Sequence, residues 1–93
     1  MPTVTLFRND YAWTIPPRGP NGHVYFWLEH PLFGRGAVTV TAVATYAPER
    51  YLEVTQLATR GDYAGRFYLD IVVTNNGPIT VSGFYVHTSV ISP

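Results

Sequence analysis

Apolar side chains recur at every second residue along most of this chain, a spacing that suits extended strands with one buried face and does not suit an amphipathic helix. The run from Ala37 to Tyr46 is the plainest case. Val38, Val40, Ala42 and Ala44 fall on one side of it, and Thr39, Thr41, Val43 and Thr45 on the other. Arg66 to Thr74 repeats the pattern, with Phe67, Leu69, Ile71 and Val73 inward and Arg66, Tyr68, Asp70 and Thr74 outward. No stretch carries convincing helical spacing, so no helix is expected.

Gly, Pro and Asn cut these runs apart. Loops are expected at Pro16 to Gly22, His30 to Gly36, Ala47 to Arg50 and Arg60 to Asp62, which leaves strands near 3–8, 10–15, 23–29, 37–46, 51–59, 65–74 and 79–91. Asn75-Asn76-Gly77-Pro78 is the sharpest turn signal. Because Asn-Gly accepts the positive φ angles of a tight turn, it is expected to join the last two strands as a hairpin. In the last strand Ile79 and Val81 share one parity and Phe84, Val86 and Val90 the other, so a β-bulge is expected at Gly83. About seven strands in 93 residues predict a single all-β domain over 1–93, an antiparallel two-sheet β-sandwich, with a closed barrel as the alternative.

The charge pattern narrows the partners. Arg8, Arg18, Arg35, Arg50, Arg60 and Arg66 balance six acids, so no basic stripe awaits a phosphate backbone and nucleic acid is not an expected partner. Lysine is absent, although it is a common solubilising residue on exposed strand edges; Arg is the residue favoured at interfaces. That bias suits a homo-oligomer or a protein assembly, and equally a genome rich in Arg codons. With no cysteine there is no disulfide scaffold. No apolar run is long enough to span a bilayer and no signal peptide is visible, so membrane insertion is not expected and the location is read as cytoplasmic or within an assembled particle.

Tyr68-Leu69-Asp70-Ile71-Val72-Val73-Thr74-Asn75-Asn76-Gly77-Pro78, followed by an aromatic strand, resembles the penultimate strand and turn of bacterial immunoglobulin-like modules. Trp27 on the third expected strand is similar to the buried Trp of immunoglobulin-type folds. The resemblance covers about a fifth of the chain, and it implies an immunoglobulin-like sandwich with a role in adhesion, spacing or assembly.

Candidate chemistry is sparse. Arg60-Gly61-Asp62 is an integrin-type tripeptide in an expected turn, where Gly-Asp is also ordinary turn chemistry. His23, Glu29 and His30 are the nearest approach to a metal set, but six residues of strand hold His23 and Glu29 about 20 Å apart, so no metal or other cofactor is expected. Ser82 or Ser89 with His87 and Asp70 could form a triad on paper, without any nucleophile elbow to support it, and no catalytic role is expected. Aromatics are the stronger signal: 15% of the chain, comprising seven Tyr, five Phe and two Trp. If Val24, Phe26 and Leu28 point inward, Tyr25 and Trp27 point outward, and Tyr68, Tyr85 and His87 share outward parity. Such a patch suits a protein interface or, as the alternative, a sugar stacked on Trp13 or Trp27. Arg18, Phe33 and Arg35 in the flanking loops complete the expected binding set.

Overall fold

The computed structural model describes residues 2–45 and 51–93; the loop expected at Ala47 to Arg50 lies outside them. Six strands follow one another: β1 (Thr3–Ile15), β2 (His23–Glu29), β3 (Ala37–Ala44), β4 (Leu52–Gly61), β5 (Phe67–Asn75) and β6 (Val81–Ser92). They form two antiparallel sheets, ordered β1-β6-β3 and β2-β5-β4, stacked as a sandwich. One 3-10 turn, Pro31–Gly34, follows β2, and no α-helix occurs among the described residues.

Alternation places the core where it was expected. Leu69, Ile71 and Val73 of β5 face Val86, Val90 and Phe84 of β6, with Phe26 of β2 and Ile15 of β1 closing the side. Central strands supply most of this set because a neighbour on each flank screens them from water. Each such side chain contributes about 1.5–3 kcal/mol on burial. Val38, Val40, Ala42 and Ala44 of β3 pack against the core from the sheet edge.

Three expectations need correction. The segments expected as separate strands at 3–8 and 10–15 are the single strand β1, so the described residues hold six strands and not seven: Asn9 sits opposite Val86, and the β6 ladder outweighs any local turn preference. Asn75 to Pro78 does not close a hairpin, because β5 and β6 belong to different sheets and the segment crosses between them. Asn75 holds that crossing. Fully buried, its amide donates to the carbonyl oxygens of Ile15 (3.2 Å), Pro16 (3.1 Å) and Ile79 (2.8 Å), while its Oδ1 accepts the Gly77 N–H at 2.9 Å.

The bulge does fall at Gly83, but the extra residue lies across the ladder. Tyr11 pairs with Phe84 and Thr14 with Ser82, so Ala12 and Trp13 together oppose Gly83, whose φ is +119°. A second irregularity places Thr55 as the extra residue of β4, between Val54 and Gln56.

Candidate functional site

The alternation in β2 buries Phe26 and turns Tyr25 and Trp27 to solvent, each 54% exposed. Registry with β5 sets Tyr25 opposite Val72, Trp27 opposite Asp70 and Glu29 opposite Tyr68; β4 adds Arg60 opposite Tyr68. Asp70 therefore stands diagonally between Tyr25 and Arg60. Its carboxylate accepts the Tyr25 hydroxyl at 2.6 Å, Arg60 Nε at 2.9 Å and Arg60 Nη2 at 3.2 Å. Arg60 and, second, Tyr25 hold the Asp70 carboxyl below its ordinary value, and the same bond raises the Tyr25 phenol.

The network continues along the face. Arg60 lies 4.4 Å over the Tyr68 ring, and Trp27 meets that ring edge-on with centroids 5.5 Å apart. Tyr68 has the expected outward parity but is covered by these neighbours, and only 8% of it is exposed. Its hydroxyl donates to Asp62 Oδ2 at 3.0 Å, and Asp62 also takes the Ala64 and Arg66 N–H groups and Arg66 Nε. The bond from the Arg66 backbone N–H is the largest influence holding the Asp62 carboxyl below its ordinary value. Both charged groups of Arg60-Gly61-Asp62 are thus engaged, with different partners on one face.

The remaining expected binding residues do not join this face. Tyr85 and His87 lie on the outer surface of the other sheet, their rings 5.1 Å apart, with Arg8 stacked 4.1 Å over Tyr85. Trp13 sits at the open side between β1 and β2 and packs against Tyr11, Phe26 and Phe84, 42% exposed. Phe33 is no surface contact: the 3-10 turn rolls its ring into the core beside Phe7 and His30, leaving it 4% exposed. Gly34 permits this, since a Cβ there would stand 2.5 Å from the Phe67 ring. Arg18 and Arg35 are exposed loop residues whose backbone N–H groups bond Gly77 and Leu32.

Asp70 and His87 occupy opposite outer faces of the sandwich, so the paper triad does not assemble. His30 Nδ1 accepts the Leu32 N–H at 3.1 Å and caps the 3-10 turn, and no group of three metal-capable side chains converges among the described residues. Trp27 points to solvent, not into the buried position that the immunoglobulin resemblance gave it. Sequence reasoning missed the Asp70–Arg60 pair, which is readable only once the β4–β5 register is known. In comparisons with known proteins, no family model, no curated protein and no solved structure matches the chain.

Proposed function

We propose that this chain is a non-enzymatic, immunoglobulin-like binding module that attaches to another protein subunit through the outer face of the β2-β5-β4 sheet. The observation that carries this reading is the pairing of two half-exposed rings, Tyr25 and Trp27, with an ion pair already satisfied beneath them. Exposed aromatics flanked by a held Arg are the composition of interface centres. Because Asp70 fixes Arg60 and Tyr25 before any partner arrives, little side-chain freedom is lost on docking. The test is a photo-crosslinking residue placed at position 27 or at position 87 in the producing cells, with native mass as a second readout. A defined adduct from position 27 that excess wild-type chain competes away, and excess Trp27→Ala chain does not, supports the reading; equal labelling from both positions sinks it.

A sugar ligand is the second reading, favoured by the exposed Trp27 ring beside the carboxylates of Glu29 and Asp70. A glycan array with tryptophan fluorescence separates the two. Quenching that Trp27→Ala removes would favour the sugar, and no response to any glycan would end that reading.

A further inference from the structure

We infer that a second copy of this chain pairs with β1, antiparallel and about a two-fold axis at Asn9, joining the two β1-β6-β3 sheets into one. This goes beyond the face proposed above and uses a different surface. β1 is the longest edge strand of the sandwich, 13 residues, and among the described residues only β6 pairs with it. Sheet edges are ordinarily blunted by Lys, Pro, an inward charge or a covering segment. Between Thr3 and Ile15 there is no Lys, no Pro and no inward charge, and the only bulge lies near its end, at Ala12 and Trp13. By contrast β4 carries a bulge in mid-strand, and β2 and β3 are only seven and eight residues long.

Charge selects both the occupant and the register. Arg8 and Asp10 both point to the outer face, with side chains 55% and 68% exposed. An axis at Asn9 sets Arg8 of each copy opposite Asp10 of the other, giving a neutral cluster of four charges. Moving the axis to residue 8 or 10 puts like charges face to face, and a half-step shift inverts one copy, setting the charged outer face of one beside the core-facing side of the other. Under the same register Leu6, 75% exposed, meets Ala12, and the flanks of Phe7 and Tyr11 cover one another. A two-fold closes the pair, so no filament follows. The patch is small for a permanent dimer, and its mass should depend on concentration.

Sedimentation of the full chain and of two charge variants tests this, since both residues are exposed and neither substitution touches the core. Wild type is expected to dimerise, while Arg8→Asp, which would gather four acids at the axis, and Asp10→Arg, which would gather four cations, are each monomeric. An equimolar mixture of the two variants is expected to regain the dimer as a heterodimer. Mixing cannot restore the bond that Arg8 makes to Asp10 within one chain, so recovery reports the contact between copies. Wild type that stays monomeric across the concentration range, single variants that dimerise like wild type, or a mixture that stays monomeric would each overturn the inference. Trp27→Ala should leave this dimer intact while abolishing docking on the aromatic face; loss of the dimer in that variant would move the second copy off β1.

Discussion

The sheet built on β5 and the sheet built on β6 share one core, yet Asn75 in the first bonds three carbonyl oxygens, whereas Thr88 in the second is buried with its hydroxyl unpartnered among the described residues. The contrast extends to the outer surfaces. On the β5 sheet Asp70 ties β2 to β4 through Tyr25 and Arg60, and Thr55 bonds Thr74 across the ladder. On the β6 sheet the only ion pair among the described residues, Arg8 with Asp10, runs along one strand, although Thr39 and Ser89 share a hydroxyl bond across it. Polar groups therefore pin strand order and register in one sheet. In the other, apolar packing does so, and the edge is left open to charge-directed pairing.

Removing the best-satisfied polar group should break the contrast most severely. Asn75→Ala leaves the carbonyls of Ile15 and Ile79 without this donor at a buried crossing, and is expected to cost about 3 kcal/mol. Asn75→Asp is expected to be no milder despite its similar size, since an ionised carboxylate has no hydrogen to give. Urea unfolding measures both, and a midpoint unchanged in Asn75→Ala would show that the crossing does not depend on this side chain.

The opposite substitution in the other sheet should stabilise. Thr88→Val replaces a buried hydroxyl by a methyl group of nearly the same shape, between Val86 and Val90, and is expected to gain about 1 kcal/mol. A loss of that size would mean that the hydroxyl has a partner, and the two sheets would then differ less than their side chains suggest.

These contrasts also mark what could be read before the structure. Inward and outward parity in β2, β3 and β5 was legible because period two is a property of one strand alone. Which sheet a strand joins is not. Tyr25 and Tyr85 both read as outward, but they face away from each other because β2 and β6 lie in different layers. Asn75 carries a sound turn signal whose destination depends on carbonyls sixty residues earlier in the chain. Phe33 reads as a loop contact because nothing local announces that a 3-10 turn will carry it inward. Gly83 marks the bulge through broken parity, while the additional residue sits on β1, where parity is kept. The Asp70–Arg60 pair needs the register of two strands at once, which no single run of residues supplies.

The smallest effect is expected in the acid titration of Asp70, and it sharpens the contrast on the β5 side. Bonds from Arg60 and Tyr25 favour the ionised carboxylate, so its folded value lies below its unfolded one. The stability it adds is therefore complete above the ordinary carboxylate range and is lost as pH falls through the depressed value. Carboxyl resonances followed by NMR should show Asp70 titrating below that range. Arg60→Gln is expected to return its midpoint most of the way, because the guanidinium is the larger influence, and Tyr25→Phe to return it less. Tyr25→Phe keeps the ring and its exposed surface, so a shift in that variant isolates the hydroxyl bond from any change in packing. A midpoint indifferent to both substitutions would mean that Asp70 does not join β2 to β4, and the aromatic face would lose the anchor that holds Tyr25 in place.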